Sequence, residues 1–353
     1  MSLGAHAGAT ELDPARLPRC VLCAPLHSTR PSIMFALIVA TTALTDPRHA
    51  PFLSWLNRCG AQIGPVSLGK SSSGAGYGAF ATEAIEENEE LFTIPSLACV
   101  SLYDACGDAE CGESFAKLIA TGQGGATVAV AGLVAKEWLC TRDAGPRGPY
   151  LSMLPWDAEW PPEGEQEQEH ILWWSEAQID DLDGSEAYSD AVDIRDEVNT
   201  AVKVIKSLIG ASVRKAYKER GEPIWNVLKA DEDIDKAVRG AFVSILTRSF
   251  SQEQDGDEEK RLVPLLDMLQ HASEPNIRHV AVLDEATGEQ KVVVTARRRI
   301  EAGEELLNCY DGGELPPARF LTRFGFVPGQ TVGGFVDSLN EGKIKLPFGL
   351  KFG

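Results

Sequence analysis

Leu262-Val-Pro-Leu-Leu-Asp-Met-Leu-Gln-His271 is the stretch on which the reading of this 353-residue chain turns. It is apolar except for Asp267, Gln270 and His271, and Glu274-Pro-Asn276 follows three residues later. Buried polar groups need partners, so such a set either satisfies itself or meets a ligand. A lone histidine in an apolar run is more often a satisfied core residue. The spacing fits no common metal site.

Downstream, Ile277–Leu283 and Lys291–Ala296 read as strands flanking a turn with Thr287-Gly288, and Glu305–Asn308 reads as another short strand. That last strand lies in Ala302-Gly-Glu-Glu-Leu306 and runs into Asn308-Cys-Tyr310; Arg323-Phe-Gly-Phe326 follows. Upstream, Ser251–Glu259 reads as an acidic linker. Before it, residues 102–247 read as helical. Ile194, Val198, Val202, Ile205, Ile209 and Val213 recur at helical spacing, and Val128–Leu139 does the same. Pro149-Tyr-Leu-Ser-Met-Leu-Pro155 and a solvated Pro-Glu-Gln loop at 161–169 lie between them. Towards the start, residues 51–60 predict an amphipathic helix, Gly74-x-Gly76-x-Gly78 a flexible turn, and Leu91–Ile94 a strand closed by Pro95. The order is strands, helices, strands: an α+β fold with helices inserted between two halves of a β unit. Its parts are an N-terminal extension (1–50), a first β part (51–101), a helical insert (102–245), a second β part (246–329) and a short C-terminal tail (330–353).

The formal charge is −19. This excludes non-specific nucleic-acid binding, which needs clustered Lys and Arg. The excess is local: residues 157–197 hold fifteen Asp or Glu against one Arg, a net of −14. A charge run of this kind is first a solvated face, and second a docking surface for a basic partner. The eight cysteines make no disulfide scaffold. Cys20/Cys23 and Cys106/Cys111 sit in unlike contexts with no histidine to complete a zinc site, so no metal is expected. Ile33–Leu44, 12 residues long, is too short to span a bilayer. With the arginines before it, it reads as part of a targeting segment, as a first helix, or as sequence around a true start at Met34. Location is therefore open between cytoplasm and plastid.

Five motifs in this order resemble the SET-domain methyltransferases, most closely the branch holding the Rubisco large-subunit lysine methyltransferases and the actin-histidine methyltransferase. They are the Gly-x-Gly loop with Ile85-Glu-Glu-Asn-Glu-Glu-Leu-Phe-Thr-Ile-Pro95, Pro149–Pro155, Thr247-Arg-Ser-Phe250, Pro264–His271, and Tyr310. The resemblance covers about residues 52–328. It implies a SET-domain β fold with a pseudoknot-like cofactor site and transfer of a methyl group from S-adenosylmethionine to a protein lysine. Gly76, Tyr77 and Gly78 would line the cofactor pocket, and Arg248 would meet the cofactor carboxylate. Gln270 and His271 would hold its adenosyl and amino-acid parts. Asp267 would lie near the substrate channel, Tyr310 would aim its hydroxyl at the departing methyl group, and Phe324 would wall the channel. The implied partner is a protein substrate with a target lysine, and the expected state is a monomer.

The chemistry agrees with such a site. The lysine nucleophile must be neutral, which at pH 7 costs roughly 4.6 kcal/mol against a reference pKa of about 10.4. An apolar channel beside a sulfonium favours the neutral amine. Three departures from the family pattern stand out: Gln270 in place of Asn, Phe324 in place of the frequent Tyr, and only residues 330–353 where relatives carry a helical domain. They leave two alternatives beside the lysine enzyme: a non-catalytic SET-like binding module, and a histidine methyltransferase.

Overall fold

A computed structural model of the chain describes residues 46–72, 76–122, 124–159, 170–254, 257–283, 288–310 and 315–341. The N-terminal extension up to residue 45, Cys20 and Cys23, Gly74, the 161–169 loop, Thr287 and residues 342–353 lie outside the described residues.

The first element among the described residues is α1 (His49–Arg58), whose buried face is His49, Phe52, Trp55 and Leu56. Four strands follow: β1 (Gln62–Ile63), β2 (Val66–Lys70), β3 (Tyr77–Ala81) and β4 (Glu90–Pro95). The helical region holds α2 (Leu102–Cys106), α3 (Gly112–Ala120), α4 (Gly125–Thr141), α5 (Gly148–Leu151), α6 (Glu176–Asp180), α7 (Glu186–Glu219), α8 (Ile224–Leu228) and α9 (Ala230–Arg248). Then come β5 (Ser249–Gln254), β6 (Asp257–Leu262), β7 (Gln270–His271), β8 (Ile277–Leu283), β9 (Gln290–Ala296), β10 (Glu305–Asn308), α10 (Pro317–Phe324) and α11 (Val332–Asn340).

α7 is 34 residues long, about 51 Å at 1.5 Å per residue. Its buried stripe is Val198, Val202, Ile205, Ile209 and Val213, the periodicity seen in the sequence, prolonged by Ala187, Ala191 and Tyr217. α4 is buried almost all round, because it packs against both α7 and α9. Its one buried cation, Lys136, places Nζ 2.8 Å from each Asp108 carboxylate oxygen. Each fully buried Leu, Ile or Phe in this block contributes roughly 1.5–3 kcal/mol.

The strands form two four-stranded sheets, ordered β1-β4-β9-β8 and β2-β3-β10-β7, and the β5–β6 hairpin. β9 shows the alternation of a half-buried strand, with Val292, Val294 and Ala296 inward. The second sheet contains one parallel pair: Leu307 lies opposite Gln270 and Asn308 opposite His271. That pairing brings together segments more than thirty residues apart in sequence. Asn276 secures it by donating to the Glu305 carbonyl (2.8 Å) and accepting from the Leu307 amide (2.7 Å).

Two sequence expectations change. Ser251–Glu259 is not a linker but most of a hairpin, paired from Ser249↔Leu262 to Gln254↔Asp257. Its acidic composition hid the strand signal, and its anchor is Phe250, edge-on to His279 at 5.2 Å. Nor are residues 332–340 a plain tail: they form α11. Phe335 of α11 and Leu321 of α10 share a second apolar cluster with Ile171, Ile179, Leu182 and Ala187 from the helical region. Apolar contact therefore ties α10 and α11 to the insert.

Candidate active site

The site begins at the β7–β10 pair. The Tyr310 amide donates to His271 Nδ1 (3.2 Å), and the Tyr310 hydroxyl donates to the Leu269 carbonyl (2.7 Å). Both contacts tie Tyr310 to the Leu262–His271 stretch. Its ring lies 5.1 Å from Phe324 and 6.2 Å from Phe326, and His271 lies 5.3 Å away. Phe320 joins the wall at 4.9 Å from His271. Phe320 and Phe324 are four residues apart on α10, so they project from one helical face.

Gly76–Gly78 lies next to this crossing. The Gly76 carbonyl accepts from the Ser71 amide (2.8 Å), and Tyr77 starts β3. Gln270 Nε2 donates to the Tyr77 carbonyl at 2.7 Å, so the longer side chain bridges β7 to the start of β3. Tyr77 itself packs edge-on to His49, with the Arg48 guanidinium 5.9 Å from its ring centre. Gly78 is small for a steric reason: a Cβ there would lie 2.3 Å from Glu305 Oε1.

Arg248, the last residue of α9, donates from Nη1 to the Asp267 carbonyl at 3.3 Å. Asp267 is only 7% exposed. It sits in a short turn after Leu265, whose φ of +72° is a costly conformation for a non-glycine residue. Asp267 Oδ2 accepts from the Tyr150 hydroxyl (2.7 Å), while Oδ1 is buried without a hydrogen-bond partner. Burial pushes the Asp267 carboxyl up to about 6, against the pull of Arg248 and Tyr150. Burial also pushes the Tyr310 hydroxyl well above its ordinary value, opposed by Arg248 and reinforced by the Asp267 and Glu305 carboxylates. Tyr310 is therefore a neutral hydrogen-bonding group, not a tyrosinate base.

The predicted residues Gly76, Tyr77, Gly78, Gln270, His271, Tyr310 and Phe324 thus form one linked set, and Arg248 and Asp267 form an adjoining pair. Sequence reasoning left out Tyr150, Phe320, Phe326 and Glu305. Tyr150 and Phe326 lay inside quoted motifs; Phe320 was marked only by its four-residue spacing from Phe324. Glu305 lay inside the quoted Ala302–Leu306 motif but was read only as the first residue of a short strand. Among the described residues no group of three His, Cys, Asp or Glu is placed to hold a metal, and no helix is long and apolar enough to cross a membrane.

The Asp267–Tyr150 bond gives a first prediction. Tyr150→Phe leaves a buried carboxyl without its donor and should cost about 1–3 kcal/mol in urea unfolding at pH 7.5. The deficit should shrink at pH 5, where Asp267 is protonated. An equal deficit at both pH values would mean that lost packing, and not the carboxylate, is responsible.

The geometry defines a protein class, and comparison with known proteins agrees. Residues 76–311 match the SET domain family, and the chain belongs to it. It is 25% identical over 288 residues to the N-lysine methyltransferase SETD6 of Mus musculus, covering 78% of this chain and 54% of that protein. With the Salmo salar N-lysine methyltransferase setd6 it shares 28% over 296 residues, covering 80% and 57%. The chain thus spans little more than half the length of these relatives. Among solved structures, the SET domain of LSMT bound to lysine and AdoHcy superposes with a TM-score of 0.59 at 19% identity, over 80% of this chain and 57% of that one. Rubisco LSMT bound to AdoMet gives 0.58 at 18%, over 81% and 57%. These likenesses establish the fold.

Proposed function

We propose that the chain is an S-adenosylmethionine-dependent protein methyltransferase acting on a lysine amine. The observation that carries this reading is Tyr310: a neutral hydroxyl held at a strand crossing, ringed by Phe324, Phe326 and His271, near the start of β3, where Glu305 Oε1 fills the space a Cβ at Gly78 would take. The names of the SETD6 relatives and of the AdoMet- and AdoHcy-bound LSMT structures support the choice of reaction and cofactor.

The residues present fit a cofactor with a cationic centre and an amino-acid end. Arg248 offers a guanidinium for a carboxylate. Gly76–Gly78 offers main chain at close approach, and Gln270 and His271 line the crossing. The cofactor supplies an electrophilic methyl group on a sulfonium. The protein positions the acceptor for in-line displacement, where orientation supplies much of the rate. The aromatic wall excludes water and keeps the acceptor amine neutral. Tyr310, fixed by the Leu269 carbonyl, orders the reacting groups without removing a proton.

The substrate we infer is a protein segment with basic residues around its lysine. Exposed Glu176, Asp180, Asp183, Glu186, Asp193, Asp196 and Glu197 face solvent on and before α7, and Arg195 is already paired with Glu176. Calorimetry with S-adenosylhomocysteine should show one binding site at micromolar affinity, and no heat at high micromolar ligand would remove the enzyme reading. Labelled cofactor with cell lysate, read by mass spectrometry, should place the methyl on lysine in a basic context. Label on histidine would replace lysine as the target.

A further inference from the structure

We propose that Glu305 is a cofactor-binding residue: one carboxylate oxygen holds Ser72 just past β2, and the other accepts a hydrogen bond from the cofactor's α-ammonium group. This rests on the cofactor reading above. Glu305 opens β10 opposite Phe80 of β3, and it is 7% exposed. Oε2 accepts from the Ser72 amide (3.1 Å) and the Ser72 hydroxyl (2.6 Å), which fastens β10 to the chain just past β2. Oε1 is buried and has no hydrogen-bond partner. It faces Gly78, where any Cβ would occupy its space. It is also close enough to Tyr310 to act on that hydroxyl electrostatically.

A buried carboxylate oxygen left without a donor is costly, so the site is built for a donor that arrives from outside the protein. The amino-acid end of the cofactor carries both charges: a carboxylate suited to Arg248 and an ammonium suited to Glu305. A charge-assisted bond is the strong kind, and it distinguishes this amine from the neutral donors of the adenine and ribose.

The test uses the full chain, calorimetry and two ligands: S-adenosylhomocysteine and its deamino analogue, 5′-S-(3-carboxypropyl)-5′-thioadenosine. Wild type should prefer the amine-bearing ligand by about 30-fold. Glu305→Gln should reduce that preference to less than about fivefold, mainly by weakening S-adenosylhomocysteine. Ser72→Ala removes part of that hold but leaves Oε1 in place, and should weaken both ligands alike with the preference kept. Equal weakening of both ligands by Glu305→Gln would reduce Glu305 to a structural support for Ser72 and overturn the proposal. So would a wild type that binds both ligands equally, a result that needs no variant to fold. Failure of wild type to bind either ligand would instead remove the cofactor reading.

Discussion

Tyr310→Phe is expected to lower methyl transfer about 10²–10³-fold, the usual effect of removing one preorganised hydrogen-bonding group from a transition-state site. S-adenosylhomocysteine should still bind within about threefold of wild type, since catalytic and binding contributions separate when an interaction is made only in the transition state. The substitution is clean for structural reasons. The ring is held by Phe324, Phe326 and His271, contacts that phenylalanine retains. The main-chain bond from Tyr310 to His271 is untouched. Only the hydroxyl and its bond to the Leu269 carbonyl are lost. Single-turnover assays with radiolabelled cofactor measure the rate, and calorimetry measures the affinity. Undiminished turnover would take Tyr310 out of the chemistry; a matching collapse of affinity would make it a cofactor support.

Acidification should loosen the contact between the insert and α10 through His170. This ring is fully buried; its Nδ1 accepts from the Leu172 amide (3.2 Å), and its Nε2 lies 3.3 Å from the Arg323 carbonyl. Those partners select the neutral form with the proton on Nε2. Protonating Nδ1 would set it against the Leu172 N–H. Burial accordingly lowers His170 from 6.5 to about 4, while the bond to Arg323 opposes the shift. The unfolded chain thus binds a proton that the folded chain refuses between these values. Stability present above pH 6.5 is lost as pH falls towards 4. By pH 4.5 the loss from this group is about 2–3 kcal/mol.

Asp267 works in the opposite direction. Its folded pKa of about 6 lies above the unfolded 3.8, so its protonation favours the folded state as pH falls through the same range. The two groups mask each other in wild type, and the comparison must be with a variant. His170→Gln should be less stable than wild type at pH 7.5, and the gap should narrow by about 2–3 kcal/mol at pH 4.5. Urea unfolding at both pH values reads this directly, and a gap that stays constant would mean His170 does not titrate in this window.

α7 was legible because one face alone is buried: its stripe from Ile194 to Val213 needs only local spacing to be seen. α4, buried almost all round, stands out by the apolar density of Val128 to Leu139. Strands β8 and β9 were legible by the turn between them, and β10 as a short apolar run before Tyr310. The β5–β6 hairpin was not, because its strand character rests on pairing between residues whose composition alone reads as solvent. α11 was missed for a related reason: Phe335 acquires its role from Ile171 and Leu182, about 150 residues earlier.

The sequence by itself determined the α+β order, the family pattern and the types of side chain that meet at the site, because motif spacing and burial periodicity are properties of short segments. Tertiary structure alone decided which atoms are satisfied and which are left over. Gln270 of β7 reaches the Tyr77 carbonyl of β3. Asp267 meets Tyr150 from the insert, and Glu305 spends one oxygen on Ser72 while the other stays unpartnered beside Gly78. Hydrogen bonding depends on distances of about 3 Å between residues remote in the chain, and only the folded backbone sets those distances.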